Sequence, residues 1–219
     1  VMKFSRRSAL KEGTYVEHGM IYVAHNGQKR PLFSTDRILI PGQHNVENYL
    51  AAIAAVQGMV SDEVILHTAE TFPGVEHRIE LVRTKDGVRY YNDSIASSPT
   101  RTIAGLRSFP QKVILIAGGY DKKIPFDVLG KEVQDHVKTL VLTGHTAEKI
   151  RQAVVQAEGY QQGHRTILME DDFKHAVLAA SQTGQGGDVV ILSPACASFD
   201  HFKNFAQRGQ TFKDIVNAL

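Results

Sequence analysis

The sequence predicts an α/β fold: a mostly parallel sheet covered by helices on both faces over residues 75–219, preceded by a smaller β/α segment. Three observations carry this. From Arg78 onward, β-prone apolar runs alternate with helical patterns, the signature of strand–helix–strand units. The runs at 112–117 and 188–193 are apolar on successive residues, as in strands buried on both faces. The ends of these runs carry Gly118-Gly119 and Ser193-Pro194, which punctuate strands.

Residues 14–17, 20–24 and 29–33 read as strands, with Asn26-Gly27 as a tight hairpin turn between the last two. Residues 37–40 read as a further short strand. Such a strip has too little apolar area to stand alone, and is expected to pack on something mostly absent from this chain. The chain opens at Val1 inside an apparent strand, so it is expected to be a piece of a longer protein. Residues 46–57 form a helical pattern, with Asn45 as its N-cap candidate and Asn48 on the same face. A second helix spans 61–71, capped by Ser61, and Phe72-Pro73-Gly74 marks the domain boundary.

Beyond it, 78–84 and 88–91 flank a Lys85-Asp86-Gly87 hairpin, an antiparallel edge on a parallel sheet. Pro99 suits the first turn of a helix reaching about Ser108. Strands at 112–117, 139–143, 166–169 and 188–193 alternate with helices at 126–136, 146–158 and 171–181. A last helix is expected to open at Ser198, with Asp200 in its first turn.

Composition excludes several classes. The 219 residues carry a net charge of +2, 42% apolar and 22% charged residues, the balance of a globular protein with a real core. No polybasic run suggests nucleic acid or a membrane surface. No apolar run is long enough to span a bilayer, and no signal peptide is evident. The single cysteine allows no internal disulfide, which fits a reducing cytoplasm.

In open α/β sheets ligands bind beyond the carboxyl ends of the strands. Four such ends carry polar residues: Asn92-Asp93-Ser94, Gly118 through Lys123, Thr143-Gly144-His145-Thr146, and Ser193 through Phe199. Lys122 has the reach to place an ammonium in a cleft, or is one of a solvated pair with Lys123. Asp93 reads equally as a helix cap. No Gly-x-Gly-x-x-Gly follows a strand, and Gly130-Lys131-Glu132 is not a phosphate loop. His18 and His25 lack partners at metal-ligand spacing and read as surface residues. Cys196 lacks a nucleophile-elbow frame and reads as a small packing residue.

The run Ser193-Pro-Ala-Cys-Ala-Ser-Phe-Asp-His-Phe-Lys-Asn-Phe-Ala-Gln-Arg-Gly209 resembles the C-terminal signature of the Mur ligases that add D-glutamate to the peptidoglycan precursor. Gly42-Gln43-His44-Asn45-Val46-Glu47-Asn48, His77-Arg78 with Glu80, Tyr91-Asn92-Asp93-Ser94, and Gly118-Gly119 with Lys122 resemble further stretches in the same order. The resemblance implies the end of a central ATP-binding domain (1–73) followed by a Rossmann-like C-terminal domain (74–219). It implies ATP with Mg2+, the phosphate loop lying upstream, and D-glutamate and UDP-N-acetylmuramoyl-L-alanine as the other substrates, in a monomer with no nucleic-acid or membrane partner. Asn45, Asn48, Arg78 and Asp93 would lie by the nucleotide. Lys122, Ser97, Ser198, Phe199 and Phe205 would form the D-glutamate pocket. No residue here is implied as catalytic or as a metal ligand. One departure is Ile95, where many relatives carry lysine. Another Mur-type or folylpolyglutamate-type ligase, or a non-catalytic nucleotide-binding module, is the alternative.

Overall fold

The computed structural model describes residues 2–219, and Val1, with the strand expected there, lies outside them. The chain divides into two compact units, one ending at Pro73 and one spanning Gly74–Leu219.

In the first unit, β1 (Phe4–Ser5), β2 (Gly13–Glu17), β3 (Met20–His25) and β4 (Gln28–Ser34) form a four-stranded sheet in that order. β1 pairs parallel with β2; the other pairs are antiparallel. Asn26 and Gly27 both have positive φ, as the tight hairpin demands. Pro31 is tolerated because β4 is an edge. Within the chain, α1 (Gln43–Val56) and α2 (Asp62–Thr71) pack on the sheet. Ile21, Val23, Phe33, Leu50 and Ile53 close the core between them.

Two local expectations fail here. Residues 37–40 form no strand; Thr35–Arg37 is a 3-10 turn capped by Ser34. Nor is Asn45 an N-cap. α1 begins two residues earlier, after Gly42, whose φ of 104° suits glycine. Asn45 sits in the first turn and donates to the carbonyl of Pro41 at 2.6 Å. Ser61 does cap α2, accepting from Val64 N.

The second unit contains one six-stranded sheet. Its strands are β5 (Glu80–Lys85), β6 (Val88–Asn92), β7 (Val113–Ala117), β8 (Val137–Thr143), β9 (Thr166–Glu170) and β10 (Val189–Leu192). The spatial order is β5-β6-β10-β7-β8-β9. Only the hairpin strand β5 is antiparallel, as the sequence predicts. Helices α3 (Pro99–Leu106), α4 (Asp127–His136), α5 (Ala147–Val155), α6 (Phe173–Thr183) and α7 (Phe205–Ala218) complete it.

Strand side chains alternate between faces, so each run feeds two cores. Val113, Leu115, Val189 and Ile191 meet Leu106, Leu129, Val133, Ile150 and Val154 of α3, α4 and α5. Ile114, Ile116, Val190 and Leu192 meet Ala176, Val177, Ala180, Phe212 and Val216 of α6 and α7. The chain advances from β6 to β9 with its helices on one face. It then reverses, and β10 inserts between β6 and β7. Right-handed crossovers require the helix of the return step to lie on the opposite face, where α6 is found. The reversal creates a topological switch point beside β10, where the following loops part to opposite faces.

The last helix starts later than expected. Residues 198–204 are a loop, tightened by the carbonyl of Ser198, which accepts from His201 N at 3.3 Å and Phe202 N at 2.8 Å. α7 begins at Phe205, and its cap is Asn204, which accepts from Gln207 N at 2.9 Å. Ser198 therefore caps nothing, Asp200 lies outside the helix, and Phe205 is its first residue rather than two turns in.

Candidate functional site

The loops after β6, β7, β8 and β10 are locked together at the carboxyl edge. Gly118 N donates to Pro194 O at 2.9 Å and Tyr120 N to Ala197 O at 2.9 Å. Gly118 and Gly119 have φ of 115° and 146°, and a Cβ on either would strike the carbonyl of Thr143 or Ala197. Thr146 Oγ1, fully buried, accepts from Gly119 N at 3.1 Å and lies 3.0 Å from Cys196 Sγ. Burial pushes the Cys196 thiol up to about 11, which supports packing over nucleophilic chemistry.

Arg208 is the staple. Only 2% exposed, it donates from Nε to Ser94 Oγ, from Nη1 to Ala197 O, and from Nη2 to Ser94 O and Cys196 O, at 2.9–3.1 Å. Burial lowers its pKa to about 10, still protonated at neutral pH. Ser94 Oγ passes its own proton to Phe205 O at 2.7 Å. One guanidinium thus ties the β6 and β10 loops to α7. Sequence reading quoted Arg208 but gave it no role. The available signal was a charge at the spacing of Phe212 and Val216, in the buried stripe of α7.

Asp93 directly follows β6 and is 4% exposed. Its Oδ2 accepts from Ser193 Oγ at 2.7 Å and its Oδ1 from Ile79 N at 3.3 Å. Desolvation raises its pKa to about 7, against the lowering effect of these bonds and of the Arg78 and Arg101 charges. It does not cap α3, whose N-cap is Ser98. His77 lies under α7: Asn92 Nδ2 donates to its Nδ1 at 2.9 Å, and its ring meets Phe205 edge-on at 6.0 Å. Gly209 leaves the room, since a Cβ there would fall 3.1 Å from Asn92 Nδ2.

The other expected residues divide by setting. Lys122 is exposed on the β7–α4 loop, and Ser97 is half-buried in the β6–α3 loop. Ser198 is 2% exposed, and its hydroxyl forms no hydrogen bond among the described residues. Phe199 projects into solvent, its ring edge-on to Tyr120 at 6.1 Å. Phe205 is partly exposed at the start of α7. All belong to the second unit, four of them on loops at the carboxyl edge of the sheet and Phe205 in α7. Arg78 is exposed there too. Asn45 and Asn48 belong to the first unit, where Asn48 Nδ2 donates to Asn45 Oδ1 at 3.2 Å.

Glu76, His77 and Glu80 place donor atoms within 4.8 Å of one another. Lys213 Nζ already occupies that position, 2.9 Å from Glu76 Oε1 and 2.7 Å from Glu80 Oε1. With an ammonium in place and His77 Nδ1 turned to Asn92, the cluster does not fit a magnesium ion.

Residues 77–196 match the profile of the Mur ligase glutamate ligase domain. The chain belongs to the Mur ligase family. Over its whole length this Mur ligase chain is 52% identical to a UDP-N-acetylmuramoylalanine–D-glutamate ligase of Acetivibrio thermocellus, and 50% identical to one of Clostridium beijerinckii. It covers 47% of each, so it spans about half the length of the curated relatives it matches. Among solved structures, a UDP-N-acetylmuramoyl-L-alanyl-D-glutamate–2,6-diaminopimelate ligase aligns with 99% of this chain and 48% of its own, at TM-score 0.58 and 16% identity. A pseudomurein peptide ligase type C of Methanothermus fervidus aligns with 97% of this chain and 42% of its own, at TM-score 0.60 and 15% identity. At such identities the likeness is one of fold. Among the described residues no helix is long and apolar enough to cross a membrane.

Proposed function

We propose that this Mur ligase chain is part of an ATP-dependent enzyme that joins D-glutamate to UDP-N-acetylmuramoyl-L-alanine in peptidoglycan precursor synthesis. The observation that carries the reading is identity near 50% along the entire chain with relatives of that name. In this chemistry ATP activates the nucleotide-linked carboxylate as an acyl phosphate. The D-glutamate amine then attacks the carbonyl, the C–N bond forms, phosphate leaves, and the amine proton is lost.

The chain's own part is binding and orientation. D-glutamate is a dicarboxylate and needs a cation and hydrogen-bond donors. Lys122 offers an exposed ammonium, and Ser198 and Ser97 offer hydroxyls on the converging loops. Phe199 and Phe205 are the apolar walls of that pocket. The amides of Asn45 and Asn48, the Arg78 guanidinium and Asp93 serve the nucleotide. Asp93 reaches a ribose only by exchanging its present partner Ser193 or Ile79. The Glu76, His77 and Glu80 cluster does not fit a magnesium ion, and no step here is assigned to Mg2+.

The test is an amide-forming assay of the complete protein with UDP-N-acetylmuramoyl-L-alanine, ATP and Mg2+ against a panel of amino acids. Product with D-glutamate alone is expected. Product with diaminopimelate or lysine instead, or L-glutamate transfer to a folate, would assign the chain to another branch.

A further inference from the structure

Asp200 is left over from the network that closes the loops around β10. Its side chain is 3% exposed, and its Oδ2 is buried without a hydrogen bond. Arg208 is close enough to feel its charge, yet the guanidinium bonds all go to Ser94, Cys196 and Ala197. A buried carboxylate oxygen without a donor is costly unless a cation completes it. Gly144 lies against it, since a Cβ there would fall 2.4 Å from Oδ2.

Two imidazoles flank this oxygen. His201 Nε2 stands 3.9 Å away, beyond hydrogen-bond length. His145 follows Gly144, and its ring centre is 6.1 Å from that of His201, the planes tilted by 56°. Both rings are exposed, but the backbone beneath each is held. His201 N donates to Ser198 O at 3.3 Å, and Thr146 N, next to His145, donates to Gly119 O at 3.1 Å. None of the three residues is among those expected at the nucleotide or at the amino acid.

These spacings are close to those of ligands on one small ion. An ion midway between Asp200 Oδ2 and His201 Nε2 would stand about 2 Å from each, the length of a zinc–nitrogen or zinc–carboxylate bond. Two imidazoles on one tetrahedral ion keep their ring centres about 5 Å apart. The three donors do not converge within 4.8 Å as those of Glu76, His77 and Glu80 do, and His145 closes the set by turning its exposed ring.

We propose that His145, Asp200 and His201 form a binding site for a borderline transition-metal ion such as Zn2+, which ties the loop after β8 to the loop before α7. Two imidazole nitrogens and one carboxylate oxygen suit that class of ion and not Mg2+, which takes oxygen ligands. The ion adds a cross-link between loops and no step to the reaction.

The test titrates the 15N-labelled 219-residue chain with zinc chloride, and separately with magnesium chloride, following the histidine ring nitrogens and the heat of binding. Zn2+ should shift His145 and His201 together at one ion per chain, leave His18 and His25 in place, and raise the melting temperature. Mg2+ should shift none of them. His145→Gln, His201→Gln and Asp200→Asn should each raise the Kd for Zn2+ about tenfold or more. Glu76→Gln, in the cluster already filled by Lys213, should stay within about twofold. Both histidines are exposed, so their variants should melt with the zinc-free parent, which separates lost binding from lost fold. Zn2+ that shifts neither histidine, or a Kd unchanged in both histidine variants, would overturn the proposal. Zinc bound instead at His77, or spread over the surface histidines at equal strength, would do the same.

Discussion

Replacing Asp93 with asparagine isolates the cost of burying one carboxylate. The folded pKa is raised from 3.8 to about 7, chiefly by desolvation. The folded state therefore holds the proton more tightly than the unfolded chain does. The sign follows: Asp93 lowers stability progressively as pH climbs from about 4 through about 7, and the full penalty is present above that. Three pKa units correspond to about 4 kcal/mol, of which about 2 to 3 kcal/mol develops between pH 5 and 8. Asparagine should fit without a new orphan. Its Oδ1 takes the Ile79 N–H, its Nδ2 donates to Ser193 Oγ, and the serine proton turns to Thr102 Oγ1, 3.1 Å away. Urea unfolding of both proteins at pH 5, 6, 7 and 8 measures the difference. Asp93→Asn should gain on the wild type by about 2 to 3 kcal/mol across that range. Parallel stability curves would show that Asp93 is ionised and solvated in the folded protein, and would refute the reasoning.

Arg208→Ala should cost about 3 kcal/mol or more by denaturant unfolding, because Ser94 O, Cys196 O and Ala197 O lose a donor while buried. Arg208→Lys should recover only part, having too few donors for the four bonds to the β6 and β10 loops. A chain starting at Gly74 should melt cooperatively, since both core clusters of the second unit are drawn from residues beyond it; a molten product would refute this. The 219-residue chain alone should release no phosphate with ATP, D-glutamate and UDP-N-acetylmuramoyl-L-alanine, because it has no phosphate loop.

The parallel sheet was legible because its central strands are apolar on successive residues, a pattern only a doubly covered strand sustains. The direction of the return strand was not. Nothing within residues 189–192 specifies insertion between β6 and β7; handedness and the spare hydrogen-bonding edges decide it. The start of α7 was misread for a different reason. Ser198 ahead of an apolar stretch imitates a cap, yet Asn204 with Gln207 three residues on is a capping pair in plain sequence. Gln207 Oε1 reaches back one residue past the cap, accepting from Lys203 N at 2.8 Å. Phe202, packed edge-on against Phe173 at 5.0 Å, fixes the loop that displaces the helix start.

The four strand ends that meet at the carboxyl edge were legible as polar stretches after apolar runs. The network that aligns those ends was not, because it runs between residues distant in sequence. Ser94 and Arg208 stand 114 positions apart, and Asp93 and Ser193 stand 100 apart. Ser193 looked like a strand terminator and proved to be the partner of a buried carboxylate. No periodicity encodes such pairs; the fold alone brings them together.

The central claim is that the loops beyond β6, β7 and β10 bind the incoming amino acid, and Lys122→Ala in the complete protein tests it most directly. An exposed lysine with no partner among the described residues costs little stability to remove, so the melting temperature should not move. A lost bond between charged groups weighs roughly 1.5–3 kcal/mol, or about ten- to a hundred-fold in kcat/KM. The account predicts that this loss falls on the KM for D-glutamate, with the KM for ATP nearly unchanged. An unaltered KM for D-glutamate, in an enzyme whose melting temperature is also unaltered, would contradict it.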